Sequence, residues 1–266
     1  MADKRGRRIA EAQEILTTFG LPTEQQNERA TLTLHKETLM PRGKPSKGQC
    51  AHCGQEVTKG GVTKHLSACP KRQVIIEKAE HTKGASETLY HLRVQDAWRS
   101  QFWLDLEVRG SATLKDVDDY LRAIWLECCG HLSRFSIGGW QGQEIPKQRR
   151  VEDVFQPGIT LTHIYDFGTS SETLLKMVEI RQGRPASSRP IALMVRNLTP
   201  EATCKECEQS AAWLCLECLT EEEIWGALCD QHARTHPHDS YGEPIPLVNS
   251  PRLGMCGYQG PAEPPY

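Results

Sequence analysis

The sequence predicts an α+β protein in which a central, β-grasp-like domain lies between small modules rich in cysteine and histidine. Between residues 85 and 198, apolar and polar residues alternate over several short segments, and one helical stripe interrupts them. On both sides of this region, cysteines and histidines recur in pairs at the spacings of zinc ligands. We therefore expect four parts: a helical N-terminal segment (1–40), a basic linker with a zinc finger (41–84), an α+β domain (85–198), and a two-zinc module with a C-terminal tail (199–266).

Composition bounds the class of protein. The chain has 266 residues, of which 38% are hydrophobic and 25% are charged, which is ordinary for a soluble globular protein. It contains no run of about 18 apolar residues, so we expect no membrane-spanning helix. No apolar segment of signal-peptide type follows the basic start at Met1–Arg5. This predicts a cytoplasmic location, where closely spaced cysteines indicate metal binding rather than disulfides.

Charge is distributed unevenly along the chain. Residues 1–85 contain 15 Lys/Arg and 9 Asp/Glu, a net of +6, whereas residues 86–266 contain 17 and 25, a net of −8. The basic front part favours DNA or RNA as a partner of residues 1–85. Around the first cysteine motif, Lys59, Lys64, Lys71 and Arg72 are the candidate contacts to phosphate.

The expected elements follow from periodicity and turn signals. Residues 8–20 have an amphipathic helical pattern, Thr23 and Gln26 have capping-box spacing for a second helix, and residues 41–48 have the composition of a linker. In the central domain we expect strands at 90–94, 102–108, 135–137, 159–165, 174–180 and 191–195, with a helix from Leu114 to about Gly130.

The first metal motif is Cys50-x2-Cys53, followed after eleven residues by His65-x3-Cys69. Two cysteines at this spacing can bind one ion from a tight turn, and residues four apart on a helix lie on one face. The segment is too short for a core of its own, so we expect zinc to supply its folding free energy. His52 lies between the two cysteines and is not an expected ligand.

The second motif places eight ligand candidates within 35 residues, enough for two tetrahedral sites. The candidates form four pairs along the chain: Cys204/Cys207, Cys215/Cys218, Cys229/His232 and His236/His238. Pairs in this order resemble the B-box class of cross-braced zinc modules. A tandem pairing is the alternative, but interleaving leaves each site at least two thiolates, and Ile224, Trp225 and Leu228 could pack between them as a small core. The interleaved sites are Cys204, Cys207, Cys229 and His232 for one ion, and Cys215, Cys218, His236 and His238 for the other.

Together the two motifs predict Zn²⁺ as the cofactor, with three ions per chain. Residues 201–240 hold nine acidic residues against Lys205 and Arg234, so a protein is a more fitting partner for this module than nucleic acid. Of the remaining cysteines, Cys128 continues the apolar helical stripe and is interpreted as a core thiol. A metal or redox site formed by Cys128, Cys129 and His131 is the less favoured alternative, and Cys256 has no assignment.

Two motifs suggest an enzyme only superficially. Asp166-Phe167-Gly168 spells a kinase tripeptide, but no Gly-rich loop or catalytic-loop pattern accompanies it, and the end of a strand before a glycine turn explains it better. Asp105, Glu107 and Arg109 suggest a nuclease metal centre, yet they alternate with apolar residues as on the polar face of a half-buried strand. We therefore assign no catalytic residues.

The central region resembles the plasmid pRiA4b Orf-3-like family of bacteria and mobile elements. The matching residues run from Tyr90-His-Leu92 and Phe102–Val108 through Trp125–Leu132 to Tyr165–Gly168. A subgroup of that family adds an N-terminal finger and a C-terminal cysteine module that ends in motifs like Asn249-Ser250-Pro251-Arg252 and Cys256-Gly257-Tyr258. The resemblance covers roughly residues 48–260 and implies no established activity.

A second resemblance covers residues 8–36. Ile9–Leu16, Gly20-Leu21-Pro22 and Gln25–Arg29 are similar to the start of BsuBI/PstI-type restriction enzymes. The resemblance is limited to this helical front piece, so we expect no nuclease domain of that type.

The expected function is that of a zinc-binding adaptor or nucleic-acid-associated protein, in the setting of mobile elements or defence against foreign DNA. Two alternatives stay open at this point. One is a nuclease-related component of a restriction-type system. The other is a structural interaction protein in which the zinc ions only stabilise small modules.

Overall fold

A computed structural model describes residues 46–82 and 84–260, all of which belong to one compact unit. The two helices expected before residue 40 and most of the expected linker lie outside the described residues. The linker was expected to extend to residue 48, but Lys47 already begins a strand.

The architecture is dominated by one antiparallel sheet. Its order is β2-β1-β9-β4-β3-β8-β7-β5-β6, and every pair of neighbours is antiparallel. The strands expected from alternation are all present. The bounds are β1 (Lys47–Cys50), β2 (Glu56–Thr58), β3 (Glu87–Asp96), β4 (Trp103–Arg109), β5 (Ser133–Ile137), β6 (Gln143–Ile145), β7 (Thr160–Tyr165), β8 (Ser171–Gly183) and β9 (Ile191–Asn197).

Within residues 46–82 and 84–260 the helices are few and short, and they accompany an antiparallel sheet, in agreement with the α+β class. The expected β-grasp arrangement is not confirmed. Short 3-10 turns cover Lys59–Gly61, Gly139–Gln141 and Met255–Gly257. The helices are α1 (Val62–Ala68), α2 (Pro70–Glu80), α3 (Leu114–Leu121), α4 (Val151–Val154), α5 (Leu216–Thr220) and α6 (Asp230–Thr235).

Helix α3 supplies the apolar stripe that covers one face of the sheet. It begins at a capping box in which Thr113 Oγ1 accepts from Asp116 N, while Asp116 Oδ2 accepts from Thr113 N. Its apolar residues are fully buried in the main core with the inward side chains of β3 and β4. The helix was expected to reach Gly130, but it passes into a π-helical turn that ends at Leu126.

The polar side of α3 is tied to the far strands by a buried charge. Asp118 accepts hydrogen bonds from Lys147 Nζ at 2.8 Å and Ser133 Oγ at 2.7 Å, and it lies 2.7 Å from His163 Nε2. Burial alone would raise the pKa of Asp118, but these partners lower it well below its usual range. The network fixes α3 relative to β5 and β7.

The opposite face of the sheet is more closed than the sequence predicts. Asp105, expected on the polar face of a half-buried strand, is fully buried between His91 and Arg93. Glu107 accepts from Arg181 at 2.8 Å and from Arg72 of α2 at 3.4 Å. The prediction that β4 is half-buried is therefore wrong at Asp105, because alternation along one strand does not reveal what packs on its polar side.

The first cysteine-rich segment extends the central sheet instead of standing apart from it. Strand β1 pairs with β9, and Val57, Val62 and Leu66 pack against Trp103 and Met194 of the central strands. The module after residue 199 has its own small sheet, in the order β11-β10-β12. Its strands are β10 (Trp213–Leu214), β11 (Ala227–Leu228) and β12 (Ile245–Pro246).

The close approach of β1 to Trp103 requires a glycine at position 48. A Cβ atom on Gly48 would lie 2.6 Å from Trp103 Cη2 and 2.7 Å from the Arg196 carbonyl oxygen. We expect Gly48→Ala to lower the free energy of unfolding by about 1–3 kcal/mol, because overpacking forces neighbouring groups to shift. Denaturant unfolding of the full chain measures this change.

Gly60→Ala is the matched control, because a Cβ there meets nothing within 4 Å. An equal loss of stability in both variants would contradict the assigned role of the contact with Trp103.

Candidate metal centres

The first ligand group forms where a hairpin meets a helix. Cys50 ends β1, Cys53 follows in the turn, His65 lies on α1, and Cys69 is the N-cap of α2. Their ligand atoms all lie within 4.8 Å of one another, and Cys53 Sγ is 3.5 Å from His65 Nε2. Gly54 has a φ of +75° and donates from its N–H to the Cys50 carbonyl, which forms the tight turn between the two cysteines.

The donors of this group match a tetrahedral zinc site. Three thiols and one imidazole supply four ligands, and Cys50 and Cys69 are buried. Burial raises the pKa of the Cys50 thiol to about 11, so an ion must displace its proton to bind. His52 is not part of the group.

The C-terminal ligands converge in the interleaved order. In the first group, His232 Nδ1 lies 3.4 Å from the Sγ atoms of both Cys204 and Cys229, and Cys207 Sγ lies 3.9 Å from Cys229 Sγ. This grouping joins the first and third pairs along the chain, so the tandem alternative does not describe the structure.

The second C-terminal group joins the second and fourth pairs. Cys218 Sγ lies 3.2 Å from His236 Nε2 and 3.3 Å from His238 Nδ1, and Cys215 Sγ lies 3.7 Å from the latter. Burial raises the pKa of the Cys218 thiol to about 12. Metal binding would release this proton too, so the affinity for an ion should fall as the pH falls.

A single small cluster lies between the two C-terminal groups. Leu228 is fully buried against cysteines of both groups, as expected. Ile224 is 42% exposed, so its expected role in this core is wrong. Position 226 has no room for a side chain, because a Cβ on Gly226 would lie 2.5 Å from Cys218 Cβ.

The four basic residues near the finger divide into two kinds. Lys59 bonds to Gln95 and to the Ser100 carbonyl, and burial lowers its pKa to about 8. Arg72 bonds to Glu107 and the Leu66 carbonyl. Lys64 and Lys71 are exposed, and neither has a hydrogen-bond or ion-pair partner among residues 46–82 and 84–260. Of the four candidates named from the sequence, Lys64 and Lys71 are therefore the two whose side chains remain available to a phosphate within the described residues.

The carboxylates that suggested a nuclease are already neutralised by cations. Asp105 contacts His91 and Arg93, and Glu107 contacts two arginines.

Asp166 follows β7 with a φ of +63°, and its Oδ1 accepts from the N–H groups of Gly168 and Thr169. The tripeptide at 166–168 is thus a turn after a strand, as the sequence predicts.

A fourth ligand group was not assigned from the sequence. Cys128, Cys129, His131 and Cys256 place their ligand atoms within 4.8 Å of one another. Cys128 is half-buried and packs against the main core, as its place in the apolar stripe predicts, and its thiol is also a member of this group. The available signal was that three cysteines remained without a paired partner in the sequence, but Cys256 lies 127 positions after Cys129. No local spacing connects the two.

Comparisons with known proteins add little. No family model matches the chain, and no similar curated protein was found. Among solved structures, a protein of unknown function, MM3350 from Methanosarcina mazei Go1, aligns with 41% of this chain and 67% of its own, at 16% identity and a TM-score of 0.35. A likeness of this size carries no argument about function.

Within the part of the chain that the structure describes, no helix has the length and apolar character needed to cross a membrane.

Because the two C-terminal groups share one cluster, losing a ligand of one should disturb the other. We expect Cys229→Ser to lower the zinc content by two ions and to expose residues 204–238 to proteases. Elemental analysis and limited proteolysis of the full chain measure both effects. Gln231→Ser, a change at an exposed neighbour, is the control. Retention of an ion and of protection at Cys215 and Cys218 would contradict the coupling.

Proposed function

We propose that the protein is a zinc-stabilised binding protein, in which three structural zinc ions hold small modules against a central sheet. The observation that carries the proposal is the convergence of twelve side chains into three four-ligand groups, each with two buried cysteines. Such donor sets are typical of structural zinc sites, which use all four positions for protein ligands.

The ions would stabilise the parts of the chain that bury the least apolar surface. The C-terminal module buries only small clusters, and its strands β10, β11 and β12 have two residues each. Segments of this size do not bury enough apolar surface to fold alone, so metal binding would supply folding free energy.

The finger supports contact with nucleic acid as the binding activity. Lys64 lies on α1 and Lys71 on α2, both are exposed, and the N-terminal 85 residues carry a net charge of +6. Two lysines offer phosphate contacts without base recognition, so such binding would be weak and independent of sequence.

A protein partner is the second candidate, and it concerns the C-terminal module. The net charge of −7 over residues 201–240 repels phosphates and favours a basic protein surface. The plasmid pRiA4b Orf-3-like resemblance remains part of the proposal and adds no activity to it.

Zinc in the finger can be tested by removing one ligand. We expect His65→Ala to lower the zinc content of the full chain by one ion, because three donors bind zinc less tightly than four. His81→Ala changes an exposed histidine outside every ligand group and should leave the content unchanged. Equal zinc content in both variants would contradict a zinc finger.

Nucleic-acid binding can be tested through its salt dependence. Each lysine that contacts phosphate adds about one to the slope of log affinity against log salt, so the Lys64→Ala, Lys71→Ala double variant should lower that slope by about two. The control double variant Lys176→Ala, Arg234→Ala removes the same charge from exposed positions elsewhere. Equal slopes for both variants would exclude the finger as the contact.

A further inference from the structure

The fourth ligand group lies where the C-terminal tail meets the central domain. Cys128, Cys129 and His131 come from the segment between the π-helical turn and β5, whereas Cys256 comes from the 3-10 turn Met255–Gly257. Cys129 Sγ is 2.8 Å from His131 Nε2 and 3.6 Å from Cys128 Sγ. We propose that these four residues bind a fourth zinc ion, which fastens the tail to the central domain.

The donor set is that of a zinc site. Three thiols and one imidazole are also the donors of the finger and of one C-terminal group. The chain has 11 cysteines, and each of them belongs to one of the four groups. A two-cysteine redox centre would require neither a third thiol nor an imidazole, whereas a tetrahedral ion uses all four donors.

A buried cation lies directly behind the ligands. Arg252 is fully buried, and its Nη2 lies 3.5 Å from the Sγ atoms of both Cys128 and Cys256. Three thiolates around Zn²⁺ carry a net charge of −1, and a guanidinium that donates hydrogen bonds to sulfur stabilises them. Because Asp166 neutralises this guanidinium, its contribution is the hydrogen bonds and not a balance of net charge. Asp166 Oδ2 accepts from the same Nη2 at 2.5 Å and holds the guanidinium in place.

The backbone at Cys256 is held in a conformation that cysteine rarely adopts. Its φ is +50° and its ψ is +34°, in the left-handed region. Such a conformation persists where the surroundings over-determine it. On either side, Leu253 and Tyr258 are buried, and the Gly254 N–H donates to the Tyr258 carbonyl. This closed turn directs the thiol of the tail to the other three ligands.

The proposal is tested by counting zinc ions in the full-length, reduced chain after equilibration with Zn²⁺ and removal of the excess. His131→Asn removes one donor and should lower the count by one ion relative to the wild type, and Cys256→Ser should do the same. His131→Cys should restore it, because a fourth thiolate can replace the imidazole. His81→Asn is the matched control and should leave the count unchanged.

Alkylation provides a second measurement that does not depend on the total count. Cys129 and Cys256 are exposed, so a maleimide should label them slowly with Zn²⁺ present and rapidly after chelation. Unchanged zinc content in His131→Asn, or rapid labelling of both thiols in the presence of Zn²⁺, would overturn the proposal. Failure of the three other sites would lower the count in the wild type but leave the difference of one ion between wild type and His131→Asn.

Discussion

The buried side chain of Asn197 joins three parts of the chain. Its Oδ1 accepts from the Trp103 N–H at 3.0 Å, its Nδ2 donates to Asn249 Oδ1 at 2.7 Å, and its carbonyl accepts from Asn249 Nδ2 at 2.6 Å. Its backbone pairs with Gly48 of the finger. Because a buried amide is costly unless its donors and acceptors are satisfied, this residue couples the central strands, the finger and the tail at the end of β9.

Strand pairing at the edge of the sheet also couples the finger to the central domain. Without β1, strand β9 would present a row of unpaired N–H and C=O groups, and β1 covers that row with residues 48–50. Cys50 ends β1, so the pairing that closes the edge also positions a candidate metal ligand. The finger is therefore a continuation of the central sheet, and two of its candidate ligands, Cys50 and Cys69, are buried in one cluster with Trp103 of β4.

The tail reaches the other end of the central domain through buried polar contacts. Ser250 Oγ donates to the Trp125 carbonyl at 2.7 Å, and Arg252 pairs with Asp166 while its guanidinium lies 4.9 Å from the centre of the Tyr165 ring. A buried ion pair is weak support for stability as such, but its geometry is demanding. It selects one position of the tail, and this position brings Cys256 to Cys128 and Cys129.

Sequence alone determined what local periodicity and spacing can carry. Alternation predicted β3, β4 and β7, the apolar stripe predicted α3, and the pairs at Cys50/Cys53 and Cys204/Cys207 predicted their ligand groups, because each pattern lies within one element or one turn. Only the tertiary structure decided that β1 joins β9, that Asp105 is buried and that Cys256 meets Cys128. These contacts join residues from about 15 to 150 positions apart. The order of strands in the sheet and the buried charges select the partners, and neither produces a regular spacing that could be recognised in the sequence.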